Sequence, residues 1–441
     1  MNKDSRSARA GAGMLAALTF AGIVGTGPAR AETGEGSCAG ERWVGAWTAS
    51  PSDAVGLIDP LLRPIASIGE QTYRVVVTPH RGGRQVRIKL TNRFRPLPLT
   101  VGRVTVAGQT AGAGVEAATL RPVTFGGRAG VTVEPGGELL SDPVEFASTA
   151  WESLAVSVYL PGPAPALSGH FNGNATSYYT APGSGDSAAD VTGAAYGLTT
   201  TSAPLVSAVE VTAGTAVSAV VALGDSITDG YVSADYLGVP QHSGILDADA
   251  RYPDFLQRRI DAAGLPLVVL NAGISGNELV DDGIIPMFGP GLVSRLDSDV
   301  LAQTAVSDVI VLAGINDLDS PLGTDYDGLV AGYTALIARL HAAGLRVHLG
   351  TLTPAGDSLI GDTLAPRQNP IRLRVNDWIR AQRLSDSVID FAAALQDPAD
   401  PDRLDPRYAG PDLLHPNPAG YHAMAEVVDL SALGGNGCDT E

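Results

Sequence analysis

Gly224-Asp225-Ser226-Ile227 sets a serine where an apolar run, Val217 to Leu223, gives way to a loop. A serine at the carboxyl end of a buried strand stands on the rim of an open α/β sheet, where ligands bind. Its hydroxyl becomes a nucleophile only when a base removes the proton. A base with a carboxylate to orient it follows in Asp412-Leu413-Leu414-His415. Of the seven histidines, His415 alone has a carboxylate three residues before it and a helix-starting Pro416-Asn417-Pro418 after it. One turn of chain can then set Asp412 against the imidazole, fixing its tautomer and stabilising its protonated form. Between these segments lie Gly276, in Ile274-Ser275-Gly276-Asn277, and Asn316, in Gly314-Ile315-Asn316-Asp317. The backbone N–H groups of Ser226 and Gly276 and the side-chain amide of Asn316 are candidate oxyanion donors, so Ser226, Asp412 and His415 are the expected catalytic residues of an acyl-transfer site.

Taken singly, each residue has a plainer reading. Ser226 can cap the helix that follows, and Gly276 and Asn316 can be turn residues. Asp225, Asp229 and Asp317 read as acceptors that fix the loops. His80 and His170 read as structural or solvated, His422 as helix surface, and His242 as a candidate pocket residue.

The four blocks in this order resemble the SGNH hydrolases, also called GDSL-type esterases/lipases, a family named for the Ser, Gly, Asn and His just quoted. The resemblance runs from Val217 to Leu430. It implies an SGNH-type parallel sheet flanked by helices, flavodoxin-like in three layers, and a serine ester hydrolase with His415 as acid–base and Asp412 as its orienter. Asp225 to Tyr231, Arg251 to Asp254, Asn271 to Asn277, Asp299 to Leu301 and Leu414 to Met424 further resemble a subgroup of secreted acylhydrolases and arylesterases found beside xylan-degrading enzymes. The longer insertion Ser233 to Asp249 departs from that pattern. It is expected to shape the acyl or alcohol pocket, which loosens any carry-over of substrate.

The elements that must position these residues fall into two rhythms. In the first half, Thr72 to Thr78, Gln85 to Thr91, Leu99 to Ala107, Gly130 to Val133 and Leu154 to Leu160 are short β-branched runs with Gly/Pro punctuation. They predict an all-β sandwich or jelly roll over residues 38–212. In residues 213–436, strand candidates Val217–Leu223, Leu267–Asn271, Val309–Ala313, Arg346–Leu349 and Val388–Asp390 alternate with helical patterns at Pro253–Ala263, Leu329–Ala342, Ile371–Gln382 and Pro418–Leu430. That alternation predicts an α/β domain with a parallel sheet and right-handed crossovers. Ser226, Gly276 and Asn316 all fall just past strand ends, on one rim.

Composition narrows the partners. A formal charge of −18 argues against nucleic acid and against electrostatic docking on anionic membranes, and 44% hydrophobic residues exclude a largely disordered chain. Residues 1–31 read as a signal peptide: Lys3, Arg6 and Arg9, then the apolar stretch Met14 to Val24, then Ala29-Arg30-Ala31. A secreted protein is expected, without stable membrane insertion. Its two cysteines, Cys38 and Cys438, are then expected to pair as a disulfide near the ends of the exported chain. No zinc spacing, Walker loop or dinucleotide fingerprint occurs, so neither metal nor cofactor is implied. The expected function is cleavage of carboxylic esters on small molecules or polysaccharides, short acyl groups such as carbohydrate O-acetyl or aryl esters first. A secreted lipase or phospholipase, an acyltransferase, and a carbohydrate-binding protein working through the β domain compete with it. Oligomeric state is not legible.

Overall fold

Short runs of β-branched and apolar residues, most of them buried along their whole length, build the first half of the chain into antiparallel sheets. The computed structural model of the protein describes residues 40–53, 68–164, 167–234, 244–283, 285–319, 324–356, 358 and 368–434. The expected signal segment, Cys38, Cys438 and His242 lie outside the described residues. In one sheet, β1 (Glu41–Thr48), β2 (Gly83–Thr91) and β3 (Val206–Gly214) are joined in the order β1-β3-β2, followed by Val144–Ser148. A second antiparallel sheet is centred on Leu154–Leu160, paired with Gln71–Val77 on one side and Arg103–Gly108 on the other. Val156 sits opposite Val75 and Val106, so branched apolar side chains meet across three strands.

Most expected strands are present within two or three residues, and one is broken. Leu99–Ala107 is broken at Gly102 into Leu99–Val101 and Arg103–Gly108. A Cβ at Gly102 would lie 2.9 Å from the Tyr159 ring, so the chain bends where only glycine fits. Strand β1, Val144–Ser148 and several shorter strands were not anticipated, although the ERWVGAWT sequence of β1 is buried from Val44 onward.

The second half forms a five-stranded parallel sheet of β4 (Ser218–Gly224), β5 (Leu267–Gly273), β6 (Val306–Leu312), β7 (Arg346–Gly350) and β8 (Ser387–Ile389). Its order is β5-β4-β6-β7-β8, with every pair parallel. All residues of β4 and β5 are buried, as expected of parallel strands covered on both faces. The helices of this half include α1 (Ser226–Asp229), α2 (Tyr252–Ala262), α3 (Tyr326–Ala342), α4 (Gln368–Ala381) and α5 (Pro418–Glu426). Helix α2 packs on β5 and α5, and α3 packs on β7 and α4.

Strand β5 is an edge strand, and its outward polar groups are not left open. Val269 O faces His80 Nδ1 at 2.8 Å, and Asn271 O accepts from Thr48 Oγ1 at 2.7 Å. The Gln257 side chain covers Val269 N–H at 2.6 Å and Leu267 O at 3.3 Å. The edge that could recruit another strand is thus closed, partly by side chains from the β-rich half. Strand β1 lies against β5 at Gly45, where a Cβ would come 2.7 Å from Leu270 Cδ1. The described residues between 40 and 434 cluster as one compact unit, and the expected boundary at 212/213 falls inside β3.

Candidate active site

Strand β4 ends at Gly224, and the next two residues turn into the short helix α1. Asp225 is its N-cap: Oδ1 accepts from the Ile227 N–H at 2.9 Å. The capping role therefore belongs to Asp225, and Ser226 is the first helical residue, its hydroxyl free for other work. Ser226 Oγ lies 2.8 Å from His415 Nε2, and His415 Nδ1 lies 2.7 Å from Asp412 Oδ2. All three side chains are buried. The Asp412 carboxylate also accepts from the backbone N–H of Leu414 (3.1 Å) and His415 (3.0 Å), and from the Ser233 hydroxyl. Burial alone would raise the Asp412 pKa. The hydrogen bonds and charge of His415, with the Ser233 hydroxyl, outweigh it and hold the carboxyl below its ordinary range. The Tyr231 ring packs against the imidazole, with centroids 4.6 Å apart.

The other two expected oxyanion donors, Gly276 and Asn316, follow the strands that flank β4. Gly224 pairs with Gly273 of β5 and with Leu312 of β6, so the loops carrying Ser226, Gly276 and Asn316 leave the sheet side by side. Asn277 N–H donates to Ile274 O at 3.1 Å and closes a turn with Gly276 at φ +78°. That is the positive φ which the third position of a type II turn requires. A Cβ on Gly276 would also overlap the Phe288 ring. Asn316 Nδ2 donates one hydrogen to Asn277 O at 2.9 Å, which ties the second and third loops together and leaves its other N–H for a ligand.

Buried charge holds this rim in place. Arg295, fully buried, donates to Gly224 O (2.7 Å), Ala272 O (2.8 Å), Asn277 Oδ1 (2.9 Å) and Asp299 Oδ2 (2.7 Å). Asp299 in turn accepts from Arg93 of the β-rich half at 2.6 Å. The Asp317 carboxylate accepts from the Leu279 and Val280 N–H groups at 2.7 and 3.0 Å. Burial, opposed by those N–H groups, pushes its pKa up to about 6. Burial likewise pushes Asp225 up to about 7, against the Ile227 N–H and the nearby His415. Asp225, Asp229 and Asp317 thus sit as loop-fixing acceptors.

The other histidines separate clearly. His422 is exposed on α5 against Phe255. His80 and His170 are buried and paired with Asp254 and Asp229. Ser233, Tyr231 and Arg295 were missed in the sequence. Nothing local marks Ser233 or Tyr231 as neighbours of the Asp412-His415 segment, and Arg295 sits in an ordinary helical pattern. A cavity of about 700 Å³ opens beside the Asp412 turn, between Val232, Leu404, Pro411 and Leu413, but neither Ser226 nor His415 is among its walls. Among the described residues, no cluster of His, Cys, Asp or Glu could hold a metal ion, and no helix is long and apolar enough to cross a membrane.

A parallel sheet with a hydrogen-bonded Asp–His–Ser series on its carboxyl rim defines the class: the chain is a carboxylic ester hydrolase with an SGNH hydrolase fold and a β-rich N-terminal region. Residues 222–423 match the GDSL-like lipase/acylhydrolase family. No curated protein sequence matches the chain. Among solved structures, it is similar to a lipase/acylhydrolase from Enterococcus faecalis, with 22% identity, 48% of this chain and 92% of that chain covered, and a TM-score of 0.36. It is also similar to the aryl esterase of M. smegmatis (16%, 47% and 95%, TM-score 0.37) and to a carbohydrate acetylesterase from Sinorhizobium meliloti (14%, 47% and 94%, TM-score 0.36).

Proposed function

We propose that this protein is an exported serine esterase that cleaves its substrate through an acyl-enzyme on Ser226. The observation that carries the reading is the unbroken series Asp412 Oδ2–His415 Nδ1, 2.7 Å, and His415 Nε2–Ser226 Oγ, 2.8 Å. His415 takes the Ser226 proton while Oγ attacks the ester carbonyl carbon. The charge that develops on the carbonyl oxygen is met by the Ser226 and Gly276 N–H groups and the second N–H of Asn316. Collapse expels the alcohol, which leaves with the proton from His415. Water, deprotonated by the same imidazole, then releases the acid and restores Ser226. Asp412 stays ionised and stabilises the imidazolium.

The favoured substrates are short-chain esters, O-acetyl groups on carbohydrate or aryl esters. An aromatic content of 5% and the lack of a long apolar lid in the sequence support short acyl groups over lipid. Export rests on the Lys/Arg-led apolar stretch before Ala31, and with it the Cys38–Cys438 disulfide. The sheet order β5-β4-β6-β7-β8 supports a flavodoxin-like three-layer domain, and the two antiparallel sheets support a sandwich or jelly roll before it. In the test, Ser226→Ala and His415→Ala each abolish turnover of p-nitrophenyl acetate with the fold retained, and mass spectrometry finds a phosphonate probe on Ser226. Wild-type turnover by either purified variant would reject the assignment. A panel of acyl lengths with acetylated xylan and phospholipid vesicles identifies the substrate class.

A further inference from the structure

We propose that His170, in the β-rich half of the chain, is a positioning residue for the ester-hydrolase reaction: through Asp229 it holds the turn that presents the Gly276 N–H. The inference rests on the acyl-enzyme reading above. His170 Nδ1 faces Ser50 O at 2.8 Å, while Nε2 faces Asp229 Oδ1 at 2.8 Å and Asn172 O at 3.1 Å. Each ring nitrogen thus has only acceptors before it, which an imidazole satisfies fully when both carry hydrogen. The other carboxylate oxygen, Asp229 Oδ2, accepts from Ser275 N–H at 3.0 Å and from Ser275 Oγ at 2.6 Å. Ser275 is the second residue of the 274–277 turn, and Gly276 is the third. The turn's own hydrogen bond uses the Asn277 N–H and not that of Gly276. The direction of the Gly276 N–H therefore depends on the plane of the Ser275–Gly276 peptide. Asp229 holds the preceding peptide by the Ser275 N–H and the Ser275 side chain by its hydroxyl, and so fixes the residue about which that plane turns.

A second contact from the same half reinforces the link. Asn174 Nδ2 donates to Gly230 O at 3.0 Å and to Asp229 O at 3.3 Å, at the end of α1. The helix that begins with Ser226 is thereby held at its far end by the loop that follows His170. Burial works against charge on His170, and so does Arg251 nearby, but the Asp229 carboxylate and Ser50 O outweigh them and leave its pKa above the ordinary imidazole value. Arg251 and Arg295 are the other charged groups that bear on Asp229. Arg251 is itself engaged by Asp254, and Arg295 by Asp299, so His170 is the partner in direct contact with the Asp229 side chain. The β-rich half thus does more than buttress the sheet, since one of its side chains sets a catalytic dipole.

The test uses the full chain, with active sites counted by stoichiometric phosphonylation of Ser226. For His170→Ala, kcat per titrated site on p-nitrophenyl acetate is expected to fall about 10- to 100-fold, less than the loss of a whole oxyanion donor, with KM within about threefold of wild type. Inhibition by a phenylboronic acid, whose serine adduct is a tetrahedral anion, should weaken by the same factor. His170→Gln, whose amide nitrogen can still donate to Asp229, should recover part of both. Should His170→Ala fail to fold, Ser275→Ala carries the same two readouts, because it removes only the hydroxyl that Asp229 grips. Unchanged kcat per titrated site and unchanged boronate inhibition in the folded variants would overturn the proposal, since a purely structural role lowers the number of active sites and not their quality. Failure of the phosphonate to label Ser226 in the unmodified chain would instead reject the acyl-enzyme reading itself.

Discussion

Ser226 Oγ and His415 Nε2 stand 2.8 Å apart, although 189 positions separate them in the chain. The contact depends on Asp412, which grips the imidazole and two backbone N–H groups of its own turn. Asp412→Asn would turn an amide N–H toward either His415 Nδ1 or the Ser233 hydroxyl and favour the wrong tautomer. We expect kcat to fall on the order of 10³-fold or more with KM little changed, as measured by steady-state hydrolysis of p-nitrophenyl acetate.

Asn316 has a partner on the neighbouring loop and a second N–H to spare. Asn316→Ala should lower kcat by about 10²- to 10³-fold. Loss of the Asn277 contact should cost only about 1 kcal/mol of stability in urea titration. A large stability loss with near-normal kcat would assign Asn316 to scaffolding.

Gly276 is constrained twice, by φ +78° and by the Phe288 ring that a Cβ would overlap. Gly276→Ala is therefore expected to reduce both kcat and Tm. Adding Phe288→Ala removes the overlap but not the left-handed backbone, so the double variant should regain part of each. No recovery of Tm in the double variant would mean that the backbone conformation alone sets the cost.

Asp225 carries a pH-dependent penalty. Its folded pKa, about 7, lies above the ordinary aspartate value of 3.8, so the folded state holds a proton that the unfolded chain releases. Its contribution to stability is complete below pH 4 and is lost as pH rises through 7. Asp225→Asn lacks that titration. Its stability relative to wild type should improve with pH, by at most about 1.4 kcal/mol per pH unit between pH 4 and 7. Parallel stability curves for the two proteins in urea titrations would contradict this.

Arg295 joins four groups in the core of the rim. Arg295→Met leaves the buried Asp299 carboxylate with Arg93 and the Ser298 hydroxyl, and removes one donor each from Gly224 O, Ala272 O and Asn277 Oδ1. A loss of about 3–5 kcal/mol in unfolding free energy is expected. A loss below 1 kcal/mol would show that the rim holds without the guanidinium.

The catalytic half was legible because its signals are local. Apolar runs that end at Gly224, Gly273 and Leu312 mark strand ends, and chemistry placed just beyond them must share one rim of a parallel sheet. The Asp412–His415 interval is likewise a single turn. The β-rich half was legible as strands but not as a participant. His170 looked structural because the residue that gives it a role, Asp229, lies 59 positions away in another sheet system. Strand β1 was passed over because its partner, β3, comes more than 150 residues later, and its buried stretch does not alternate.

Residue types and their order along the chain thus determined the reaction chemistry and the identities of Ser226, Gly276, Asn316, Asp412 and His415 as its candidates. Tertiary structure alone decided what holds them: Ser233 on Asp412, Arg295 on Gly224 O, and His170 on the carboxylate that fixes Ser275. The division has a physical cause. Strand ends and single turns are set by neighbours in sequence, whereas a buried polar side chain takes whichever partner the packed chain brings within about 3 Å, and no local pattern records that meeting.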